Sequence, residues 1–247
     1  VFATALATYE SMAGESALLA RLRSRRGAGR WHEIDFTGDP VMVSFESMMP
    51  LGNRAEDFGV SLRALDSFLE LTDQPAYDTF YGTIDPEWLK TFHREFYEQR
   101  DTARAFDTHG WLELHAPYPA FLELLRRRSS DAEIALATAK DRRSAELLLA
   151  HLGVGGLFAP ELVLDKETGV SKTAHLTALH DRLDVPFKEI TFVDDKVNHL
   201  ETVAPLGVRP VLAGWGFNTP REHDLARQCG FEVANIADVE RVLYGGG

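Results

Sequence analysis

The second half of the chain, from residue 117 to 244, alternates short apolar runs with stretches that carry apolar residues at helical spacing. Short apolar runs predict buried strands, and a 3.6-residue period predicts amphipathic helices. We predict strands at residues 133–138, 162–164, 190–193, 208–213 and 231–233. We predict helices at residues 142–152, 172–183, 198–206 and 220–228. This strict alternation predicts parallel strands with right-handed crossovers, hence a doubly wound α/β sheet.

The middle of the chain, residues 53–112, has aromatic and aliphatic residues at helical spacing and few strand signals. Phe58, Leu62 and Leu65 indicate one amphipathic helix. Another begins at Asp85-Pro86, where proline occupies the first helical position. We interpret the aromatic residues as the core of a small helical domain.

The first 52 residues contain one predicted helix and one predicted strand. Residues 15–26 carry leucines at helical spacing, and Gly27 follows as a helix stop. The run Val41-Met-Val-Ser-Phe45 is typical of a buried strand. We therefore expect residues 1–52 to hold the first core strand, residues 53–112 to form an inserted helical domain, and residues 113–247 to form the main α/β core.

Composition and charge exclude several classes of function. The chain has 247 residues, 45% of them hydrophobic, which is enough for a full core and a smaller domain. The net charge of −12 argues against nucleic acid and anionic membranes as partners, and any phosphorylated substrate would need local cations. Cys229 is the sole cysteine, so no internal disulfide forms, which suits a reducing cytoplasm. No apolar run approaches the ~20 residues of a membrane-spanning helix.

Two adjacent carboxylates, Asp194 and Asp195, follow the predicted strand 190–193 directly. Ligands of open parallel sheets gather at the carboxyl ends of the strands. Paired acids at such an edge are typical ligands of a hard cation such as Mg²⁺. The alternative is a strand-end turn with solvated acids.

A hydroxyl and a lysine occupy comparable positions earlier in the chain. Thr138 closes the strand 133–138, where a hydroxyl can donate to a phosphate oxygen next to a helix N-terminus. Lys172 opens the helix 172–183, against the helix dipole, which suggests a compensating anion. Each step, from Thr138 to Lys172 and on to Asp194, spans about one βα unit, so we expect all three at one rim of the sheet. Taken singly, a strand-end threonine and an exposed lysine remain the alternatives.

In their order and spacing these segments resemble motifs of the haloacid dehalogenase-like superfamily, which consists mostly of phosphatases and related phosphoryl-transfer enzymes. Ala135-Leu-Ala-Thr-Ala-Lys140 resembles the second motif, Lys172 the third, and Val193-Asp194-Asp195 the fourth. The resemblance covers about residues 115–244 and implies that the helical domain is an α-helical cap. It further implies that Thr138 and Lys172 hold the phosphoryl group of a small phosphorylated substrate, and that Asp194 and Asp195 organise Mg²⁺.

The first motif of this superfamily is an apolar strand that ends in Asp-x-Asp, whose first acid attacks phosphorus and whose second acts as acid and base. The best-placed segment, 41–48, puts Ser44 at the nucleophile position and Glu46 at the acid position. Two alternatives stay open: Asp35, in Asp-Phe-Thr-Gly, after a poor strand, and the run Val1–Thr8, which has no acid at the required positions.

Two hypotheses of different classes follow. The first is a Mg²⁺-dependent phosphatase of this superfamily that acts on a small phosphorylated metabolite, with the cap closing over the substrate. The second is a catalytically impaired relative that binds a phosphorylated ligand or a protein partner without turnover, because a serine stands where the attacking carboxylate belongs.

A few further residues lie close to the expected rim in sequence. His175, His180 and His199 show no zinc spacing, and we interpret His199 as a capping or packing residue. The run Gly214-Trp-Gly-Phe-Asn-Thr219 follows the strand 208–213 and forms either a wall of the site or a loop plug.

Overall fold

Two units make up the chain, Val1–Trp111 and Leu112–Gly247. They are seen in a computed structural model that describes residues 1–27, 29–52, 54–169 and 171–245. Asn53, where we expect the helical domain to begin, lies outside the described residues.

The first unit is helical throughout its described part. Its helices are α1 (Phe2–Ala13), α2 (Ala17–Arg26), α3 (Pro40–Met48), α4 (Ala55–Asp66), α5 (Gln74–Tyr81) and α6 (Pro86–Phe106). The side chain of Asp85 accepts a hydrogen bond from the backbone of Glu87 and caps α6, with Pro86 at the first position as predicted. Phe58, Phe92 and Phe96 are buried in one cluster, which confirms the interpretation of these aromatic residues as core.

The predicted strand at residues 41–45 is wrong, because these residues lie in α3. Asp39 caps this helix by accepting a hydrogen bond from the N–H of Val41 at 2.9 Å, and Pro40 occupies its first position. Phe45 and Met48, one turn apart, are buried, while Val43 is 55% exposed. This is a helical pattern of burial, since a strand would alternate with period two.

The other two positions weighed for a first core strand are also not strands. Residues 1–8 lie almost entirely in α1, and the segment before Asp35 contains a short 3₁₀ helix, Trp31–Glu33. The first core strand that we expect within residues 1–52 is therefore absent from the described part of that segment.

The second unit alternates strands and helices. After α7 (Thr108–Glu113), which crosses the boundary between the units, its helices are α8 (Pro119–Arg127), α9 (Arg142–His151), α10 (Lys172–Leu183), α11 (Val197–Val203), α12 (Pro220–Gln228) and α13 (Val239–Tyr244). Its strands are β1 (Leu136–Ala137), β2 (Val163–Leu164), β3 (Thr191–Asp194), β4 (Arg209–Ala213) and β5 (Glu232–Ala234). All five predicted strands and all four predicted helices of this half are present, with small shifts of their ends.

Every ladder in this unit is parallel, which confirms the predicted α/β class. In the register of the pairs, Ala137 lies opposite Leu164, Val193 opposite Val211, and Leu212 opposite Val233. The strands form two sheets, β1-β2 and β3-β4-β5. β1 and β3 are therefore edge strands within the described part of the chain, where the sequence predicts one continuous sheet.

Helices cover the sheets and complete the core. Leu164 of β2, Phe192 of β3 and Leu212 of β4 belong to one buried cluster, to which α10 and α11 contribute Leu176 and Leu200. This packing fixes the carboxyl ends of β1 and β3 and the first turn of α10. None of the helices in the described residues is long and apolar enough to cross a membrane.

Candidate functional site

Lys172 connects the carboxyl ends of β1 and β3. Its Nζ lies 2.8 Å from the carbonyl oxygen of Ala137, the last residue of β1. The same Nζ lies 3.3 Å from Oδ2 of Asp194, the last residue of β3. Ser171 caps α10 by accepting a hydrogen bond from the N–H of Ala174, so the helix start that positions Lys172 is encoded locally. The structure thus brings together the lysine and the first acid that the sequence predicts at one rim.

Thr138 follows β1 directly and presents its hydroxyl at the same end of the strand. The N–H of Lys140 donates to Oγ1 of Thr138 at 3.1 Å, and the N–H of Thr138 donates to the carbonyl of Leu164 at 2.8 Å. The hydroxyl group accepts the first of these bonds, so its own proton can be donated to an incoming oxygen atom. This is the role that a phosphate-binding threonine requires.

Asp194 is a buried carboxylate held by several donors. Its Oδ1 accepts from the N–H of Lys196 at 3.0 Å and lies 2.9 Å from Nδ1 of His199. Burial alone would raise the pKa of Asp194, but the bond from His199, the charge of Lys172 and the N–H of Lys196 outweigh it and hold this pKa below its usual range. Asp194 is therefore a carboxylate anion at neutral pH.

Asp195 is clamped by the loop that follows β4. The N–H of Phe217 donates to its Oδ2 at 2.9 Å, and Nδ2 of Asn218 donates to its backbone carbonyl at 3.1 Å. A Cβ atom on Gly216 would lie 2.3 Å from Cβ of Asp195, so only glycine fits there. The segment Gly214–Thr219 contacts the acid pair through these residues.

Sequence reasoning missed the contact of His199 with Asp194, and it left open whether the run with Phe217 and Asn218 forms a wall of the site. His199 lies in the first turn of α11, and its Nδ1 contacts the Asp194 carboxylate, which places it beside the candidate site. The glycines that flank Trp215 were the available signal for the loop, since a glycine in such a run marks a close approach of backbone to another group.

Two of the three histidines that we considered have structural partners instead. His175 is 2% exposed, and its Nε2 lies 2.8 Å from the carbonyl of Gly169. The Nδ1 of His180 lies 2.6 Å from the carbonyl of Val185, and its ring stacks on that of Phe187. Neither contributes to the candidate site.

The residues predicted at the first motif do not lie at a strand end. Ser44 and Glu46 are on α3, in the first unit, and Asp35 is in a turn where its carboxylate accepts from the N–H of Thr37 at 2.8 Å. The placement of Ser44 as a nucleophile and of Glu46 as an acid depended on a strand at residues 41–45. That basis is wrong.

Comparison with known proteins identifies the same family that the sequence motifs resemble. The family model for the haloacid dehalogenase-like hydrolases matches residues 43–207, which is more than half of the chain. The chain belongs to the haloacid dehalogenase-like hydrolase family. Among solved structures, it is similar to a haloacid dehalogenase-like family hydrolase of Streptococcus pneumoniae, with a TM-score of 0.51 and 13% identity over 81% of this chain and 88% of that chain. No curated protein matches it.

In this haloacid dehalogenase-like hydrolase, Thr138, Lys172, Asp194 and Asp195 all lie within the matched range. The loop residues that clamp Asp195 lie beyond it. The identity of 13% to the solved structure supports a shared fold and nothing finer.

The family implies a Mg²⁺ ion, and Asp194 and Asp195 fit a site with few protein ligands. The described residues contain no cluster of three or more histidine, cysteine or acidic side chains that could hold a metal ion. Mg²⁺ commonly binds through one or two carboxylates while keeping several waters and sharing substrate phosphate oxygens. Asp194 and Asp195 match that smaller requirement, because each carries carboxylate oxygens at the end of β3 or directly after it.

Proposed function

We propose that the protein is a Mg²⁺-dependent phosphatase that acts on a small phosphorylated metabolite. The observation that supports this most directly is the convergence of the Lys172 ammonium group, the Thr138 end of β1 and the Asp194 carboxylate. These are the three chemical elements that a phosphoryl site needs: a cation, a hydroxyl donor and a metal ligand.

Thr138 and Lys172 bind and orient the phosphoryl group in this proposal. The Thr138 hydroxyl donates to one phosphoryl oxygen, and the Lys172 ammonium group neutralises the charge that the group carries. A local cation is needed because the chain as a whole carries a net charge of −12. The side chain of Lys172 is 18% exposed, so solvent screens this interaction only in part.

Asp194 and Asp195 would hold Mg²⁺, which when bound neutralises developing charge on the phosphoryl oxygens. His199 and the N–H of Lys196 keep the Asp194 carboxylate ionised and oriented, and the N–H of Phe217 orients the carboxylate of Asp195. Ser44 and Glu46 lie on a helix, so the strand-end position that would make them the attacking group and the acid is not theirs.

The test is release of inorganic phosphate from a panel of small phosphomonoesters, with Mg²⁺ or with EDTA. We expect Mg²⁺-dependent release that falls by at least about a hundredfold in Asp194→Asn and in Lys172→Ala, the range found when a group that stabilises transition-state charge is removed. Asp224→Asn is the matched control, because Asp224 is an exposed acid of the same unit whose carboxylate pairs only with Arg227 among the ion pairs described. Unchanged release in Asp194→Asn would refute the proposal.

A second candidate is a protein that binds a phosphorylated ligand without turnover. The absence of a strand-end acid in the described part of residues 1–52, where the first motif is expected, favours it. It predicts that inorganic phosphate raises the melting temperature, that Lys172→Ala loses this rise, and that no phosphomonoester is hydrolysed. Turnover by the unmodified protein would exclude it.

A further inference from the structure

The side chain of Asn218 joins β3 and β4 just beyond the end of their ladder. The last pair of that ladder is Asp194 opposite Leu212. The next residues along the two strands are Asp195 and Ala213, and the Nδ2 of Asn218 donates to both of their carbonyls, at 3.1 Å and 2.9 Å. One amide group therefore ties the two strand ends together at the acid pair.

These two bonds fix the orientation of the Asn218 amide. A carbonyl oxygen only accepts hydrogen bonds, so the NH₂ side of the amide faces both carbonyls. The Oδ1 of Asn218 faces the other way, where the Nε2 of His223 lies 2.7 Å from it. Because an amide oxygen also only accepts, Nε2 must carry a proton. His223 is thus the donor that holds the amide in this orientation.

The start of α12 places His223 beside the amide, and its signal is encoded locally. The carboxylate of Glu222, which is 6% exposed, accepts from the N–H of Thr219 at 2.9 Å and from its hydroxyl at 2.6 Å. This capping box begins the helix at Pro220. The N–H of His223 then donates to the carbonyl of Thr219 at 3.1 Å, which fixes the imidazole one turn after the cap.

The loop after β4 consequently holds Asp195 at two points. The N–H of Phe217 donates to its Oδ2, and the amide of Asn218 donates to its backbone carbonyl. A carboxylate fixed in this way has fewer orientations to lose when it binds a cation. Asp194 is held by a histidine directly, since the Nδ1 of His199 lies 2.9 Å from its Oδ1. Each acid of the pair is therefore connected to one histidine, Asp194 directly and Asp195 through an amide.

We propose that His223 is a positioning residue of the metal site and acts on Asp195 through Asn218. The imidazole orients the amide, the amide fixes the backbone of Asp195 against the end of β4, and Asp195 presents its carboxylate to Mg²⁺. Hydrogen-bonded groups behind a metal ligand contribute to metal affinity in this way, by orienting the ligand before the ion arrives. The inference rests on the proposed function in one respect, which is the Mg²⁺ ion at the acid pair.

The probe is Mg²⁺ alone, titrated into the full chain by calorimetry without substrate. We expect His223→Leu to weaken Mg²⁺ binding by about tenfold, because leucine fills a similar volume but donates no hydrogen bond to the amide. His223→Gln should bind Mg²⁺ within about threefold of the unmodified protein, since the glutamine amide supplies a donor at a similar reach. Asp194→Asn should abolish the binding, which shows that the titration reports the acid pair.

His151→Leu is the matched control. His151 lies at the end of α9 in the same unit, and its Nε2 is 3.7 Å from Oε1 of Glu113, so its replacement should leave Mg²⁺ binding unchanged. Kinetics separate positioning of the metal site from general damage to the fold. In His223→Leu the Mg²⁺ concentration for half-maximal phosphate release should rise about tenfold, while kcat at saturating Mg²⁺ changes by less than about twofold.

A double-mutant cycle tests whether the imidazole acts through the amide. Asn218→Ala removes the group that contacts both strand ends, so we expect it to weaken Mg²⁺ binding by at least about tenfold. Adding His223→Leu to Asn218→Ala should then change the affinity by less than about twofold, because the histidine no longer has an amide to orient. Effects that add across the cycle would show that His223 acts on the site by another route.

Failure of this inference is distinguishable from failure of the proposed function. Unchanged Mg²⁺ binding in His223→Leu, no recovery in His223→Gln, or additive effects in the cycle would each overturn the positioning role and leave the phosphatase standing. An unmodified protein that binds no Mg²⁺ would overturn the metal site and the positioning role together. Mg²⁺ binding with the expected cycle but without phosphate release supports the positioning role and counts against the phosphatase.

Discussion

A lysine in the first turn of a helix carries its charge at the positive end of the helix dipole. Lys172 occupies this position in α10, and the ionised carboxylate of Asp194, 3.3 Å from its Nζ, supplies the compensating anion. The unfavourable position is therefore part of the site, since it directs the ammonium group to the carboxyl ends of the strands. In the proposed function, a phosphoryl group at this point would meet a cation that is already desolvated in part and already oriented.

At Gly216 even a single added methyl group is expected to have a large effect. In Gly216→Ala the new methyl group would overlap Cβ of Asp195, so the loop must move away from the acid. We expect the free energy of unfolding to fall by about 1–3 kcal/mol, the usual cost of overpacking. Urea denaturation measures this change.

The control for this change is Gly156→Ala. Gly156 has no atom within 4 Å of the position of an added Cβ, so its replacement should change stability by less than about 0.5 kcal/mol. Equal effects at the two glycines would show that the close approach of Gly216 to Asp195 has no energetic consequence.

Because of Asp165, we expect the second unit to lose stability as the pH becomes acidic. This residue is 2% exposed, and it accepts hydrogen bonds from the N–H groups of Glu167 and Thr168 and pairs with Arg142. Burial alone would raise the pKa of Asp165, but the bonds from Thr168 and Glu167 and the charge of Arg142 outweigh it and hold the pKa below its usual value. A lowered pKa adds stability above the unfolded-state value of about 3.9, and this stability is lost as the pH falls through the folded-state value.

We therefore expect Asp165→Asn to lower the free energy of unfolding at pH 7 by about 2 kcal/mol, the range for hydrogen bonds to a charged group. The difference between the two proteins should shrink as the pH falls below about 4. Denaturant unfolding at a series of pH values measures it, with the exposed Asp224→Asn as a control that should show little difference. A difference that grew toward low pH would contradict this account.

At the scale of elements, α3 shows how helix and strand compete for a short apolar run. An apolar run of this length fits a buried strand or a buried helix equally well by periodicity. The decision lies in the flanking residues, because the Asp39 cap and Pro40 are a helix start signal. Once the helix forms, Phe45 enters the core and Val43 faces solvent.

Val43→Ala distinguishes the two structures directly. In a helix, replacing an exposed valine with alanine should leave stability unchanged or raise it by about 0.5 kcal/mol, following helix propensity. In a buried strand the same change should cost at least about 1 kcal/mol through lost packing. Urea denaturation decides between them, with Phe45→Ala as the control that should cost about 3–5 kcal/mol.

Elements with strong local signals could be predicted from the sequence. α10 begins at Lys172 after the Ser171 cap, and β3 is an apolar run that ends at an acid, so both were found with nearly the right ends. The contact of His199 with Asp194 is local, five residues apart, and depends on how the chain turns from β3 into α11. The clamp of Phe217 on Asp195 joins segments 22 residues apart and depends on their packing. The division of the strands into two sheets depends on pairing, which periodicity within one strand does not encode.

At the scale of the whole molecule, a net charge of −12 opposes the approach of a phosphorylated substrate. In the proposed function the Lys172 ammonium group would act at short range, where it is partly shielded from solvent. Added salt should therefore weaken the long-range repulsion more than the short-range attraction, since the Debye length falls from about 30 Å at ~0.01 M to about 8 Å at ~0.15 M.

Over this range of ionic strength we expect KM for a phosphomonoester to fall by about two- to threefold while kcat changes little, because the salt acts on encounter. Steady-state kinetics with a salt that does not bind Mg²⁺ measures the effect. A KM that rises with salt would instead indicate that a cationic surface attracts the substrate, contrary to the charge of the chain.

The loop that clamps Asp195 also contains Trp215, the only tryptophan of the second unit. The other three tryptophans, at residues 31, 88 and 111, belong to the first unit. The ring of Trp215 packs against Phe121 with centroids 5.1 Å apart, next to the glycine that touches Asp195. Any ion or phosphate that draws the Asp195 carboxylate away from the N–H of Phe217 shifts the backbone that carries this indole. We therefore expect Trp215 emission to change when an ion or a phosphate occupies the acid pair, a signal that needs no substrate.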